Sequence, residues 1–291
     1  MVNKILLILI INSLNGQIIA GQSNLSNPNR ELINDVKSTN GFVALWQFNE
    51  KSGKNRKAIG NYSYPLKESG GRTDRINEGP VSGYSIKLDG TNWLSLPNSK
   101  TRQLNIFGEK SEVTVIAWIN WSGEQTGFVA GMWNEYQDGG KRQYGLFISL
   151  PHYNGKDQVC GHISKTGKPT PPFPYSIDYS ASGQKVPKNE WCCVAFTYDG
   201  KYIRSFLNGE FESRDPELIN NTTGFEGYPD GLIQNKNPYL FPYGIGNNGS
   251  DFTVGAVMLE SGMGNYYKGF IGGLAVFNRA LTDKEIKTLC R

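Results

Sequence analysis

The segment Trp191-Cys-Cys-Val-Ala-Phe-Thr-Tyr198 is followed by Asp199-Gly200, by Tyr202-Ile-Arg-Ser-Phe-Leu207 and by Asn208-Gly209. Aromatic and β-branched residues favour strands. Asp-Gly and Asn-Gly pairs accept the positive φ angles that tight hairpin turns require. The segment therefore predicts an antiparallel meander.

Short apolar segments that end at turn residues recur through most of the chain. They are residues 42–48, 84–88, 93–96, 113–121, 128–133, 144–150, 158–164, 252–258 and 267–277. Only one helix is predicted, with Thr282 as its N-cap and Glu285 as the capping-box partner. The pattern predicts an all-β fold, a two-sheet antiparallel sandwich with one short C-terminal helix.

The order and spacing of six motifs resemble the laminin G-like, concanavalin A-like jelly-roll family of secreted bacterial proteins. The motifs are residues 42–53, 84–90, 113–119, 191–200, 206–209 and 271–286. The resemblance covers residues 41–289 and implies two packed antiparallel sheets, a concave face ringed by loops, and carbohydrate binding or adhesion. Related sandwiches hold a structural calcium ion with an acidic side chain where this chain has Gly272-Gly273. Calcium binding therefore stays open, with backbone carbonyls plus Asn49, Glu50 or Asp89 as the oxygen ligands.

The first 21 residues predict an export signal. Lys4 gives a positive start, residues 5–11 are an unbroken apolar run, and Ala20-Gly21 offers small residues for cleavage. A transmembrane helix needs about 20 apolar residues, so we expect no membrane span. We expect a secreted, periplasmic or cell-surface protein, with residues 22–40 as a polar linker and residues 41–291 as the jelly-roll domain.

The charge pattern excludes the usual signature of nucleic-acid binding. Lys and Arg number 30 against 26 Asp and Glu, and the net charge of +4 is spread without a basic run. The chain also lacks a P-loop and a dinucleotide fingerprint. We therefore expect no cofactor, with calcium as the one possibility that stays open. The expected partner is a polysaccharide or other glycan, with extracellular proteins as an alternative.

Four cysteines predict two disulfides in an exported protein: Cys160, Cys192, Cys193 and Cys290. Cys192 and Cys193 are neighbours on a predicted strand, so their side chains face opposite ways and should bridge to different partners. One of them can reach Cys160 if residues 158–164 pair with residues 191–198, which leaves the other for Cys290. Free buried thiols are the alternative.

Two long segments lack strand periodicity, residues 165–189 and 214–250. They are rich in proline and aromatic residues, which predicts stiff binding or covering loops. Sugars need flat apolar ring faces and directed polar groups. The candidate ligand residues are Trp133, Asn134, Tyr136, Phe173, Tyr175, Asp178, Tyr179, Asn237, Tyr239, Phe241 and Tyr243. We expect the ligand on the loop-ringed face formed by residues 171–179 and 237–243 and not on the outer sheet, or else around Trp133 and Tyr136.

The sequence contains only weak matches to the residue patterns of known catalytic sites. The clustered carboxylates of retaining glycosidases do not occur, and the nearest pair, Glu210 and Glu212, starts a predicted hairpin strand. Arg142, Gln143, Tyr144 and His162 form a candidate lyase constellation, for which a structural histidine is the alternative. The sequence thus favours a secreted non-catalytic carbohydrate-binding, lectin-like module. A protein-binding adhesion module and a polysaccharide lyase or glycoside hydrolase are the alternatives.

Overall fold

The computed structural model describes residues 28–136, 139–227 and 230–291, and these form two antiparallel sheets that pack face to face. Strands are numbered in chain order. The larger sheet has ten strands: β1 (Phe42–Trp46), β2 (Ala58–Gly60), β4 (Asp74–Ile76), β5 (Ser85–Asp89), β7 (Val113–Trp121), β12 (Trp191–Tyr198), β13 (Tyr202–Leu207), β14 (Glu210–Phe211), β17 (Tyr239–Leu240) and β21 (Lys268–Phe277).

The second sheet has seven strands in the order β11-β10-β9-β8-β18-β6-β3. They are β3 (Lys67–Ser69), β6 (Trp93–Leu96), β8 (Gly127–Met132), β9 (Tyr144–Leu150), β10 (Gly155–Ile163), β11 (Tyr179–Lys185) and β18 (Phe252–Val254). Two small hairpins complete the strands: β15 (Glu217–Leu218) with β16 (Ile233–Gln234), and β19 (Val257–Leu259) with β20 (Gly262–Gly264). The predicted two-sheet sandwich is confirmed.

The predicted meander lies at one side of the ten-stranded sheet, where the strand order is β14-β13-β12-β7. β12 pairs with β13 from Val194 opposite Leu207 to Tyr198 opposite Ile203, and its other edge pairs with β7. The turn between β12 and β13 contains Gly200 at a φ of 86°. Such a φ is accessible to glycine at no steric cost, which is why the Asp-Gly pair predicts the turn correctly.

A continuous apolar layer joins the two sheets. Alternate residues of the strands enter it, for example Val115 and Ala117 from β7 and Leu146 and Ile148 from β9. Burial of one large apolar side chain stabilises a fold by about 1.5–3 kcal/mol. This layer therefore holds the sandwich together and fixes which side chains point outward.

Two α-helices occur in the described residues, α1 (Pro28–Ser38) and α2 (Asp283–Leu289), and both contribute apolar side chains to the cluster on the outer face of the ten-stranded sheet. Thr282 caps α2 and forms both halves of the capping box with Glu285, as predicted. The prediction of a single helix and of a linker over residues 22–40 is wrong for residues 28–38. Leu32 and Val36 lie one helical turn apart and are buried, so α1 packs on the domain.

The predicted export signal, residues 1–21, lies outside the described residues. Within the described part of the chain, no helix is long and apolar enough to span a bilayer.

One disulfide is formed, between Cys193 and Cys290, and Cys160 and Cys192 are buried free thiols. The expectation that Cys192 and Cys193 face opposite ways is correct: Cys192 packs between the sheets and Cys193 packs with α2. The predicted bridge to Cys160 is wrong. Residues 158–164 belong to the seven-stranded sheet, and Cys160 points to its outer face.

Peptide mapping without reductant should therefore recover a single bridge between Cys193 and Cys290. Replacing Cys290 by Ser should lower the free energy of unfolding by about 2–4 kcal/mol, because the bridge closes a 97-residue loop. Urea unfolding measures the difference, with Cys160→Ala as the control that keeps the bridge. A linked peptide that contains Cys160 or Cys192 would contradict the assignment.

Candidate functional site

A hollow of about 300 Å³ lies on the outer face of the seven-stranded sheet. Its floor includes outward-facing residues of three neighbouring strands, Phe147 on β9, His162 on β10 and Tyr179 on β11. They point outward because residues next to them along the strand, such as Leu146 and Ile163, enter the layer between the sheets. The core thus decides which side chains form the floor.

Gly145 makes room for the rings on this floor. It pairs with His162 across β9 and β10. A Cβ atom at this position would lie 3.0 Å from the Phe147 ring, 3.1 Å from the Phe128 ring and 3.5 Å from the Trp133 indole. The missing side chain lets the aromatic rings close over the strands.

His162 is an uncharged polar group in the floor. Its ring centroid lies 4.4 Å from that of Trp133 and 5.3 Å from that of Tyr179. Burial lowers the pKa of His162 to about 3, and the positive charges of Arg142 and Lys236 act in the same direction. Its buried Nδ1 atom has no hydrogen-bond partner among the described residues.

Glu135 and Arg142 bring opposite charges to the hollow. Glu135 Oε2 lies 3.9 Å from Arg142 Nη2, and Glu135 Oε1 accepts a hydrogen bond of 3.4 Å from Trp133 Nε1. Arg142 Nη1 donates to the carbonyl of Gly167 at 3.0 Å. Burial raises the pKa of Glu135, and the charge of Arg142 and the bond from Trp133 partly offset this shift.

The rim of the hollow carries more accessible rings. Tyr175 is 44% exposed, and its ring centroid lies 5.0 Å from that of His152. The guanidinium of Arg142 lies 5.3 Å from the centre of the half-buried Tyr136 ring. Leu259 of the β19–β20 hairpin lines the same hollow. The rim therefore offers ring faces above a polar pair.

Lys236 supports the Tyr179 side of the hollow from behind. Its fully buried ammonium lies 3.5 Å from the centre of the Tyr179 ring and donates to the carbonyl of Ile177 at 3.3 Å. Burial lowers the pKa of Lys236 to about 7, although Cys160 and Asp178 oppose the shift. The Tyr179 hydroxyl donates to the carbonyl of His152. These contacts fix the orientation of the ring.

Four of the predicted ligand residues line this hollow: Trp133, Tyr136, Tyr175 and Tyr179. Asn134 lies on the other side of Trp133, in a second hollow. The structure thus brings together the residues around Trp133 and Tyr136 with part of residues 171–179.

Phe173 and Asp178 pack beneath the rim instead of facing a ligand. The Phe173 ring centroid lies 5.5 Å from that of Tyr153, and Phe173 is buried. Asp178 accepts hydrogen bonds from Thr170 and, at 3.1 Å, from Tyr239. Burial raises the pKa of Asp178, an effect that these hydrogen bonds partly offset. Both residues therefore hold the loop in place.

Residues 237–243 lie along β13 and do not border the hollow. Tyr239 and Phe241 pack in the layer between the sheets. The buried Asn237 side chain accepts from the backbone N–H of Ser205 and donates to its carbonyl, both at 3.0 Å. Tyr243 is 63% exposed and contacts Phe241. The two segments meet at the hydrogen bond between Tyr239 and Asp178, but they do not line one hollow.

The candidate lyase constellation is not assembled. Arg142 and His162 line the hollow, but Tyr144 enters the layer between the sheets and donates to the carbonyl of Leu104 at 2.7 Å. Gln143 is buried and donates to the carbonyl of Ile106 at 2.7 Å. Adjacent strand residues face opposite sides of a sheet, which separates Tyr144 from the hollow.

The residues suggested for calcium make contacts within the protein. Asp89 accepts from Thr91, and the carbonyl of Glu50 accepts from the buried guanidinium of Arg56 at 2.7 Å. Arg56 also pairs with Glu68 at 2.7 Å. Among the described residues, no group of three or more His, Cys, Asp or Glu side chains could hold a metal ion.

Several residues that line the hollow were not identified by sequence reasoning. They are Glu135, Phe147, His152 and Tyr153, while Arg142 and His162 were considered only for catalysis. One signal was available: Gly139-Gly140 lies between Glu135 and Arg142, and a glycine turn of this kind brings its flanks together.

Comparison with known proteins agrees with this architecture. The profile of the concanavalin A-like lectin/glucanase superfamily, in its laminin G form, matches residues 88–225. No curated protein sequence matches the chain. Domain 4 of a GH43 extracellular arabinanase from Geobacillus stearothermophilus, solved in complex with arabinotriose, has a TM-score of 0.53 at 16% identity and covers 86% of this chain and 98% of that domain.

Two further solved structures match less closely. The CBM40 of Ruminococcus gnavus IT-sialidase, bound to α2,3-sialyllactose, gives a TM-score of 0.46 at 15% identity over 71% of this chain and 96% of that one. A structure of botulinum neurotoxin type C, described as dependent on two ganglioside molecules for cell entry, gives 0.48 at 10% identity over 89% of this chain and 52% of that one. At these identities the likeness is one of fold. The profile match over residues 88–225 supports a laminin G-like domain of the concanavalin A-like lectin/glucanase superfamily in this chain.

Proposed function

We propose that this protein is a secreted, non-catalytic, lectin-like module that binds carbohydrate in the outer hollow. One observation carries the proposal: the same hollow combines the rings of Trp133, Tyr136 and Tyr175 with the charged pair of Glu135 and Arg142. Ring faces match the C–H faces of a sugar, and the carboxylate and guanidinium match its hydroxyl groups.

The spacing of the charged pair suits neighbouring hydroxyls. The 3.9 Å between Glu135 Oε2 and Arg142 Nη2 exceeds a direct hydrogen bond. A sugar can therefore place one hydroxyl as a donor to the carboxylate and the next as an acceptor from the guanidinium. Their opposite charges cancel, so we expect neutral sugars to bind better than uronates.

Burial strengthens both contacts. The Arg142 side chain is 2% exposed and the Glu135 side chain 17% exposed. Hydrogen bonds to charged groups contribute more where water is largely excluded. A volume of about 300 Å³ is at the lower end of the range for small-molecule pockets, which suits one or two sugar residues.

Two observations support the remaining parts of the proposal. The disulfide between Cys193 and Cys290 is typical of oxidising compartments, which agrees with the expected export signal. The arabinanase domain of similar fold was solved with an oligosaccharide, so a sandwich of this architecture accommodates such a ligand.

Hydrolysis has less support than binding. A retaining glycosidase places two carboxylates about 5–5.5 Å apart. Of the described residues that line the hollow, Glu135 alone carries a carboxylate. Glu210 is ion-paired with Lys287 of α2, at the ten-stranded sheet.

An exposed apolar surface favours protein binding as the second candidate function. Ile233 and Leu240 line one shallow surface depression, and they are 64% and 54% exposed. Leu218, which pairs with Ile233, is 63% exposed. Exposed apolar patches mark interaction sites.

The variant Ile233→Lys with Leu240→Lys should abolish adhesion to a protein partner and leave glycan binding unchanged.

Replacing Tyr136 or Tyr175 by Ala should weaken glycan binding by about 3- to 10-fold each, because one stacking surface is lost. Glycan arrays identify the ligand, and isothermal titration then measures the affinities. Arabinan-derived, other neutral and uronate-containing oligosaccharides form the panel. Tyr243→Ala is the matched control, since this exposed tyrosine lies outside the hollow.

Two results would contradict the proposal. One is the absence of binding across the whole panel. The other is the release of new reducing ends or unsaturated products from a polysaccharide, which would identify an enzyme. Equal losses in Tyr175→Ala and Tyr243→Ala would move the site away from the hollow.

Binding should weaken at acidic pH. Burial raises the pKa of Glu135 above the usual 4.5, so its carboxylate becomes protonated at a higher pH than usual and loses the charge that strengthens its bond from the sugar hydroxyl. Affinity measured from pH 7 down to pH 4 should fall for the native protein. The variant Glu135→Gln should bind more weakly at pH 7 and show a flat profile.

Other titratable groups near Glu135 need controls. His162 has a pKa of about 3 and stays neutral over this range. His152 lines the hollow, and Glu260 lies near Tyr136. The variants His152→Gln and Glu260→Gln should therefore keep the native pH profile. A profile that becomes flat in either variant, but not in Glu135→Gln, would assign the dependence to that residue.

A further inference from the structure

A second hollow lies beside the first on the same sheet face. It has a volume of about 420 Å³ and is lined by Trp93 and Ser95 of β6, Thr253 of β18, and Met258 and Met263 of the β19–β20 hairpin. Trp133 lines both hollows. The two hollows therefore share one wall.

A single row of paired residues connects the two hollows across the strands. The row contains one residue from each strand of the sheet, in the order from β3 to β11: Lys67, Ser95, Thr253, Gly131, Gly145, His162 and Tyr179. Thr253 lies at one hollow and His162 at the other. They are three strand spacings apart, or about 14 Å. A monosaccharide does not cover that distance, but a short oligosaccharide does.

The wall between the hollows offers polar groups to both sides. Asn134 forms a parallel bridge with Met258, so the chain is extended at this point. Successive residues of an extended chain point to opposite sides. Asn134 lines the second hollow and Glu135 the first.

Thr253 supplies a polar atom without a protein partner. The residue is 7% exposed, and its Oγ1 atom is buried with no hydrogen bond to any described residue. An unpaired buried hydroxyl costs stability unless another polar group reaches it. The half-buried indole of Trp93 lines the same hollow, and its ring centroid lies 6.0 Å from that of Tyr266.

We propose that the second hollow is a further subsite for the glycan chain held in the first, which makes the ligand an oligosaccharide laid across the strands. One sugar residue stacks on Trp93, and a hydroxyl of that residue bonds to Thr253 Oγ1. This inference rests on the proposed function, because it assumes that the first hollow binds sugar.

The test is the dependence of affinity on chain length. The probe is the oligosaccharide series, from two to six residues, of the sugar that binds the native protein, measured by isothermal titration. Affinity of the native protein should rise beyond the length that the first hollow accommodates. Trp93→Ala should lose about 3- to 10-fold in affinity for the long members and bind the shortest ones unchanged.

Thr253→Val separates binding from folding. It keeps the shape of the side chain and removes the unpaired hydroxyl, so thermal stability should be equal or higher. Affinity for the long oligosaccharides should nevertheless fall by about 2- to 10-fold. This variant decides the question even if Trp93→Ala is less stable.

The outcomes distinguish the two proposals. If both variants bind every length as the native protein does, while Tyr175→Ala still weakens binding, the second subsite is wrong and the first stands. If either variant bound one oligosaccharide fewer per protein at every oligosaccharide length, the two hollows would bind separate oligosaccharides, and the proposal that they share one would be wrong. If the native protein binds none of the oligosaccharides, the proposed function fails and this inference fails with it.

Discussion

The apolar layer between the two sheets holds the sandwich together. Because side chains alternate along each strand, the residues that enter this layer also determine which side chains lie on the two outer faces. On β12, Cys192 enters the layer and Cys193 faces α2. On β10, Ile163 enters the layer and His162 faces the hollow. A slip of one residue in either strand would exchange these roles. The disulfide depends on the register of β12 and the candidate site on the register of β10, and the same apolar layer constrains both.

Buried cations organise the loops around this layer, and each is satisfied differently. Arg56 is held by carbonyl groups and Glu68. Lys236 lies against the rings of Tyr179 and Tyr239. Arg142 has Glu135 at 3.9 Å and one carbonyl, and it is the one of these three that borders the hollow. Arg142 thus lies where a ligand can add to its contacts.

The sequence was sufficient to predict the sandwich, since strand alternation and Asp-Gly and Asn-Gly turns are local signals. It also predicted the capped helix α2. Helix α1 was missed because its buried face has only a few apolar residues, among them Leu32 and Val36, in a polar stretch. The bridge to Cys160 was wrong because sheet membership depends on pairing between distant strands, which local patterns do not specify.

The candidate site was predicted only in part, because it too depends on packing between distant segments, which local patterns do not specify. Trp133, Tyr136, Tyr175 and Tyr179 were identified by residue type, but so were Tyr239 and Phe241, which enter the core. Aromatic residues in a loop serve equally well as a binding surface and as a cover. Only the packing of β17 against β13 shows which role residues 237–243 have.

Two buried polar atoms on the outer face, His162 Nδ1 and Thr253 Oγ1, have no hydrogen-bond partner among the described residues. Such groups cost about 1–3 kcal/mol each when they stay unpaired, and valine would fill the space at residue 253 without that cost. A sugar hydroxyl can form a hydrogen bond with either atom. An apolar protein surface would leave both atoms unpaired. This asymmetry is the physical reason to prefer a hydroxyl-rich ligand over an apolar partner on this face.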